Sequence, residues 1–279
     1  MQARRHDRRC LAPLAERIAR RGADRQPLRS SPAADLGRAA CRPSSAIIID
    51  DPESIALALR SGVRLDTVVI AHREPRIEAS LEAELLHGQV PVRRLSDRVA
   101  AAVLGCEKRP RVLAVGRRPL PCTLDALARR TGDIVVLDGV RLVGNIGAII
   151  RSASARGAAG VVLVDPGPVA VHDRRVVRAS RGLVFALPVV IADRDDLRRF
   201  LQSSDIPLVS LTATAAVPLA GLAAVPRRVT LLLGGERRGS SRELEDLAEH
   251  RFAVPMASAV ESLNVSVVGA LALFVRRGP

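Results

Sequence analysis

Tryptophan and tyrosine are absent from this 279-residue chain, and phenylalanine occurs only at positions 185, 200, 252 and 274. Readers of single-stranded nucleic acid commonly stack bases on aromatic side chains. This chain cannot build such a platform, so any nucleic acid it binds must be held by arginine contacts to phosphates, by shape and by backbone groups. Lysine is almost missing too, Lys108 being the only one. Cys10, Cys41, Cys106 and Cys122 stand far apart without a Cys-x-x-Cys, and the five histidines are equally scattered. No zinc-ligand spacing follows from them, so no metal is expected. A disulfide framework is not expected at this length, and reduced thiols in the cytoplasm are the default. No run of about 18 apolar residues occurs, so no membrane span is expected.

What the chain does have is positive charge and enough apolar residues for an ordinary core. Lys and Arg number 43 against 29 Asp and Glu, a formal net charge of +14, while 48% of residues are hydrophobic. A charge of that size favours a polyanionic partner, most simply nucleic acid. The rival explanation is a compositional bias that writes Arg in place of Lys throughout. Residues 1–43 hold eleven Arg against four acidic residues and contain Pro27, Pro32 and Pro43. This segment reads as a basic, mostly disordered arm, with a short helix over Leu11–Arg21. It lacks the apolar core of a signal peptide. Asp7, Glu16 and Asp24 count against a transit peptide. An RNA-touching arm, an inert tail and a start codon placed too early all remain open.

Regular patterning begins at Ala46. Strands are expected at Ala46–Asp50, Thr67–Ala71, Gln89–Arg93 and Arg111–Val115. Helices are expected from Asp51-Pro52-Glu53-Ser54 onward, over Ile77–Leu86 and near Asp97–Leu104. This alternation suggests a small α/β domain over residues 44–116. Arg60, Arg64, Arg73, Arg76, Arg93, Arg94, Lys108, Arg109 and Arg111 give it either an RNA-facing surface or a solvated rim. Arg117–Pro121 reads as a linker, assigned to residues 117–123, because its prolines restrict the residues before them. A second α/β pattern fills residues 124–279. Strands are expected at Ile134–Leu137, Gly160–Val164, Leu187–Ile191, Pro207–Leu211, Val229–Leu233 and Phe252–Val254. Helices are expected at Ile146–Ala155, Arg174–Ser180, Arg242–Glu249 and Val265–Val275. Continuous apolar strands alternating with helices imply a parallel sheet covered on both faces.

Three polar clusters fall at predicted strand ends: Gly144-Asn145-Ile146-Gly147 with Arg151, Gly234-Gly235-Glu236 with Gly239, and Ser262-Leu263-Asn264-Val265-Ser266. Ligands of open α/β sheets bind beyond the carboxyl ends of strands. The glycines lack the G-x-G-x-x-G spacing of a dinucleotide site, and no P-loop Gly-Lys-Ser/Thr exists. Each cluster alone is explicable as a structural turn; the three together suggest one composite site.

These clusters resemble the three ordered motifs of the SpoU/TrmH-type RNA 2′-O-ribose methyltransferases, of the SPOUT class. The stretches 135–165, 173–190 and 254–267 are similar to the thiostrepton/nosiheptide-resistance subfamily in particular. The resemblance implies an α/β fold whose carboxyl-terminal domain is a trefoil-knotted parallel sheet, preceded by a ribosomal-protein-like RNA-binding domain. It implies S-adenosylmethionine as cofactor, a homodimer with the active site at its interface, and ribosomal RNA as partner. The substrate implied is an adenosine ribose in the GTPase-associated hairpin of large-subunit rRNA, whose methylation would deny thiopeptides their site.

Carried over residue by residue, the polar site would comprise Asn145, Arg151, Glu236, Ser262 and Asn264. Leu211, Thr212, Gly235, Glu236, Val254, Met256, Leu263, Asn264 and Val265 would line the cofactor pocket, and Arg178 and Arg181 would hold RNA. The reaction must hold donor and hydroxyl in line and remove a weakly acidic proton. A neutral Arg as general base would cost roughly 8 kcal/mol to form at pH 7, so a cationic Arg151 stabilising the developing alkoxide is the cheaper role. A housekeeping tRNA or rRNA methyltransferase of the same fold and a non-catalytic ribosome-associated protein are the rival readings.

Overall fold

The computed structural model describes residues 46–71, 79–95, 112–167, 170–236 and 238–276. The expected arm over 1–43 and the expected helix over 97–104 lie outside the described residues. Contacts divide the chain into two compact units, Met1–Pro119 and Leu120–Pro279.

The first unit runs β1 (Ala46–Ile49), α1 (Pro52–Arg60), β2 (Leu65–Ala71), α2 (Ala79–His87), β3 (Val92–Leu95) and β4 (Val112–Arg117). Its sheet has the order β1-β4-β2-β3, with β2 and β3 parallel and the other pairings antiparallel. Asp51 starts α1 by accepting a 2.9 Å hydrogen bond from the Ser54 amide, and Pro52 occupies the first helical position, where its missing N–H costs nothing. Several boundaries differ from expectation by one to three residues, β2 for instance starting at Leu65 rather than Thr67, and two of the differences have a clear cause. The third strand starts at Val92 rather than Gln89, because Gln89 has φ 50° and closes α2 in a left-handed turn. Arg117 belongs to β4, paired with Ala46, rather than to the linker.

The second unit carries the larger sheet. Its strands are β5 (Ile134–Asp138), β6 (Gly160–Val164), β7 (Val189–Ala192), β8 (Leu208–Leu211), β9 (Val217–Pro218), β10 (Thr230–Gly234) and β11 (His250–Ala253). They lie in the order β7-β6-β5-β10-β8-β11-β9, and each adjacent pair is parallel. Every residue of β5, β6 and β8 is buried, the signature of a sheet covered on both faces. Helices α3 (Leu124–Ala128), α4 (Val143–Ala155), α5 (Arg174–Ala179), α6 (Arg194–Ser203), α7 (Arg242–Glu245) and α8 (Val265–Val275) supply the covering, with 3-10 turns at Leu183–Phe185 and Leu219–Ala224. One core layer joins Leu127, Ile134, Val136, Val162, Leu197, Phe200, Leu232 and Leu244.

Helix α3 was not expected from the sequence, its five residues being started by a Thr123 cap on the Ala126 amide at 3.2 Å, and three further helical features depart from expectation. Helix α6 was not anticipated because its composition is strongly polar. Its apolar residues Leu197, Phe200 and Leu201 nevertheless fall on one face, and Asp193 caps it through the Asp196 amide at 2.7 Å. Helix α7 ends at Glu245 instead of Glu249, because the Glu249 amide is already bonded to the Leu208 carbonyl as the chain turns into β11. Helix α4 starts at Val143, three residues early, so Gly144 and Asn145 occupy its first turn rather than a preceding loop.

At the amino ends of β5, β6 and β10 lies a cleft of about 610 Å³ lined by Asp133, Arg156, Arg228 and Arg276 among others. Its arginines are turned inward. Arg276, 8% exposed, donates to both Asp133 oxygens at 2.9 and 3.1 Å and to the carbonyls of Val225 and Arg227 at 2.7 and 2.8 Å. Asp133 in turn accepts from the Val229 amide at 2.8 Å. Arg228 donates to the Ala128 carbonyl at 2.9 Å, and burial pulls its pKa below the usual arginine value. Arg156 donates to the carbonyls of Leu273 and Arg276.

This polar plug ties the last helix to the start of the sheet. Replacing Arg276→Met leaves the Asp133 carboxylate buried without its counter-charge. The expected loss is about 3 kcal/mol of unfolding free energy, measured as a lower urea midpoint at unchanged slope. Adding Asp133→Asn in the same chain is expected to restore part of it.

Candidate functional site at the carboxyl edge of the large sheet

The opposite edge of the sheet gathers the sequence clusters. In register, Asp138 of β5 faces Gly234 of β10, Leu233 of β10 faces Leu211 of β8, and Leu211 faces Phe252 of β11. Leu211 and Thr212, Gly235 and Glu236, and Val254 and Met256 therefore leave three neighbouring strands at one edge. The Thr212 amide donates to the Phe252 carbonyl at 3.1 Å, which keeps two of these exits together. Leu211 is buried, and Thr212, Gly235, Val254 and Met256 are half-buried.

Side-chain hydrogen bonds then join all three motifs. Asn264 is the N-cap of α8, its Oδ1 accepting from the Ser266 amide at 2.8 Å. Its Nδ2 donates to Asn145 Oδ1 at 3.2 Å, and Asn145 Nδ2 donates to Glu236 Oε1. The direction of this chain is forced. A helix amide can only donate and a carboxylate can only accept, so each Asn between them has one orientation that satisfies both neighbours. Asn145 is buried, whereas Glu236 and Asn264 reach solvent. Glu236 is thus bonded to a side chain in the first turn of α4, a helix end whose dipole favours a carboxylate.

Two motif glycines are there for packing. A Cβ on Gly147 would sit 2.3 Å from Ala179 Cβ and 2.8 Å from the Ser180 nitrogen, so α5 can approach α4 only because no side chain intervenes. A Cβ on Gly234 would lie 2.1 Å from the Ser240 nitrogen, so the loop that carries Glu236 folds back across a bare backbone. That loop is braced by a 2.9 Å bond from the Gly239 amide to the Gly235 carbonyl.

Other predicted residues are not joined to this chain of bonds. Arg151 lies on α4, exposed, and makes no hydrogen bond or ion pair with any described residue. Six positions beyond Asn145, it is turned about 120° away around the helix. Ser262 and Leu263 are exposed on the approach to α8, and Val265 is buried in its first turn. Arg178 and Arg181 are exposed on and just after α5, Arg181 with φ 52°. Sequence reasoning passed over Asp138 and Arg194, which contact each other at 3.0 Å beside the Glu236 loop. The available signal was an acid ending the otherwise apolar strand Ile-Val-Val-Leu-Asp. Among the described residues, no group of His, Cys, Asp and Glu could hold a metal ion, and no helix is long and apolar enough to cross a membrane.

Comparison with known proteins places these features in a family. Residues 133–274 match the SpoU rRNA Methylase family, and residues 28–130 match the amino-terminal region of thiostrepton-resistance methylase. A 23S rRNA (adenosine(1067)-2′-O)-methyltransferase of Streptomyces laurentii is 39% identical over 230 residues, covering 82% of this chain and 85% of its own. The enzyme of the same description from Streptomyces azureus is 36% identical over 233 residues, with the same coverage of 82% and 85%. Among solved structures, an AdoMet-bound rRNA methyltransferase from Sinorhizobium meliloti superposes with a TM-score of 0.72 at 23% identity, covering 95% of this chain and 92% of its own. The SpoU methyltransferase AviRb from Streptomyces viridochromogenes, in complex with AdoMet, gives 0.71 at 24% identity, covering 85% and 91%. With its three polar motifs joined at one sheet edge and its sequence matched along most of its length, the chain belongs to the SpoU rRNA methylase family.

Proposed function

We propose that this protein transfers a methyl group from S-adenosylmethionine to the ribose 2′-hydroxyl of an adenosine in the GTPase-associated hairpin of 23S rRNA, in the cytoplasm, and so confers thiopeptide resistance. The observation that carries the reading is the Asn264–Asn145–Glu236 chain, which unites the three motifs at the carboxyl edge of a parallel sheet. The substrate assignment rests on the relatives that match both the amino-terminal region and the catalytic region.

The residues at this edge fit the cofactor. Leu211, Val254, Met256, Leu263 and Val265 offer apolar surface. Thr212, half-buried at the end of β8, offers a hydroxyl to its polar groups. Bound there, the cofactor supplies an electrophilic sulfonium methyl. The protein's part is to orient and to stabilise charge. Asn145 and Asn264 hold Glu236 in one direction. Ser262, exposed two residues before the α8 cap, is placed to contact polar groups of the ligand. Arg178 and Arg181 meet RNA phosphates, and Arg151 stabilises the alkoxide that forms as the 2′-hydroxyl loses its proton.

Arg151 stands apart from the other motif residues within one subunit, and this favours a site completed by a second copy. Helix α8, packed against the helix that bears Arg151, exposes Val267, Leu271 and Phe274 at 46%, 40% and 67%. These positions are spaced i, i+4 and i+7 along one apolar stripe. Such a stripe suits an isologous homodimer contact that carries Arg151 of each subunit to its partner's site. The trefoil knot belongs to the same reading: α8 packs on the 219–224 turn, and Arg276 is gripped by carbonyls of 222, 225 and 227.

The direct test is transfer of labelled methyl to a transcript of the rRNA hairpin, with tRNA in parallel and the product mapped by primer extension. Methylation confined to one hairpin adenosine is expected; methylation of tRNA alone would assign a different substrate. Arg151→Ala is expected to lower turnover by about 10³-fold while calorimetric cofactor affinity is unchanged. Near-normal turnover would remove Arg151 from the chemistry. Mixing inactive Arg151→Ala subunits with inactive Glu236→Ala subunits is expected to restore about a quarter of wild-type activity, since half the dimers are mixed and each has one intact site. No recovery after confirmed subunit exchange would place both residues in the same subunit's site.

A further inference from the structure

The loop that presents Glu236 has two feet, and both stand on one residue. Asp138 closes β5 and is 1% exposed. Its carbonyl accepts from the Gly235 amide at 2.8 Å, at the start of the loop. Its Oδ2 accepts from the Ser241 amide at 2.7 Å, at the end of the loop. Its Oδ1 accepts from Arg194 Nη2 at 3.0 Å, the charge partner that lets a carboxylate remain buried there. Arg194 is the first residue of α6, and its guanidinium lies 4.0 Å from Asp165, which pairs with Arg141 at 2.6 Å. Between the two feet, the Gly235–Gly239 bridge stiffens the loop.

We infer that Asp138, paired with Arg194, is a positioning residue that sets the Glu236 loop against Asn145. The inference rests on the assignment of Glu236 to the methyl-transfer site. Asp138 touches neither Glu236 nor Asn145 in any described contact, so its effect on the reaction passes through the loop backbone. A shift of about 1 Å in a group that orients reactants can cost on the order of 100-fold in rate. A loop held at both ends by one carboxylate is exposed to such a shift when that carboxylate changes. Asp138→Asn keeps the shape but sets an NH2 group against either the Ser241 amide or the Arg194 guanidinium, donor against donor, so one of the two contacts is lost. Arg194→Gln leaves the carboxylate in place without its counter-charge.

The test compares Asp138→Asn, Arg194→Gln and their double variant with the wild type on the hairpin transcript. Arg276→Met, at the far edge of the sheet, serves as a stability control. For Asp138→Asn the expectation is a fall in kcat of about 10- to 100-fold with cofactor KM nearly unchanged. Amide exchange at Gly235 and Ser241 should quicken in the cofactor-free protein. The double variant should be no slower than Asp138→Asn alone, because the two side chains act as one unit. Arg276→Met should lose thermal stability but keep kcat at a permissive temperature. The inference is overturned if Asp138→Asn retains wild-type kcat. It is equally overturned if Arg276→Met loses as much kcat at the same stability, since the Asp138 effect would then be general loosening. If the wild type itself methylates no RNA, the functional assignment fails, and the exchange rates at Gly235 and Ser241 still decide whether Asp138 holds the loop.

Discussion

The directional hydrogen-bond chain from the α8 amide to Glu236 is the constraint on which the site depends. It starts at a group that can only donate and ends at a group that can only accept. The two asparagines between them, 119 residues apart in sequence, are therefore locked in orientation as well as position. Asn264 performs two tasks with one amide: its oxygen caps the helix and its nitrogen fixes Asn145. Local helix stability and the long-range assembly of the site are thus coupled through a single side chain. This explains a Ser-Leu-Asn-Val-Ser segment that offers more polar groups than a helix start needs.

The two edges of the large sheet divide the work. At the amino edge, Arg156, Arg228 and Arg276 bond inward to carbonyls and to Asp133, and a roomy cleft is thereby committed to holding the last helix in place. At the carboxyl edge, polar groups face solvent and backbone lies bare. A buried ion pair contributes little net stability but is costly to break, so it specifies one arrangement rather than strengthening it. Asp133–Arg276 at one edge has this character, and at the other the buried Asp138 pairs with a half-exposed Arg194. Each fixes the point where an excursion of chain rejoins the sheet: the C-terminal helix in the first case, the 235–241 loop in the second.

Much of this was legible in sequence, for identifiable reasons. Strand β6 has no polar side chain and β5, β8 and β10 have one each, the composition that burial on both faces favours. The motif residues were legible because three polar clusters fall in the order of one family's motifs, although each alone reads as an ordinary turn or cap. Helix α6 was hidden because only three of its ten residues are buried and the rest are charged or polar. The start of α4 was hidden because Leu142, its N-cap, makes no side-chain cap bond, and Gly144 looks like a breaker. Asp138 was hidden for a different reason. Its partners are the amides of Gly235 and Ser241 and the side chain of Arg194, which are identified by sheet register and not by residue type.

The near-total replacement of lysine by arginine now has a structural side. Arg276 serves two carboxylate oxygens and the carbonyls of Leu222, Val225 and Arg227 with one planar group. A lysine ammonium has three donors and no fork, and could not make these contacts together. The same holds for Arg228, which bonds the carbonyls of Leu127, Ala128 and Arg130 at the end of α3. Part of the charge that first suggested a polyanion is therefore internal scaffolding, and the formal +14 overstates what faces a ligand. Arg151, with no partner among the described residues, and Arg178 and Arg181, exposed around α5, remain directed outward. All three belong to α4, α5 or the turn that follows, and Gly147 lets those helices touch. Arg151, Arg178 and Arg181 thus stand on neighbouring elements that one close helix contact brings together.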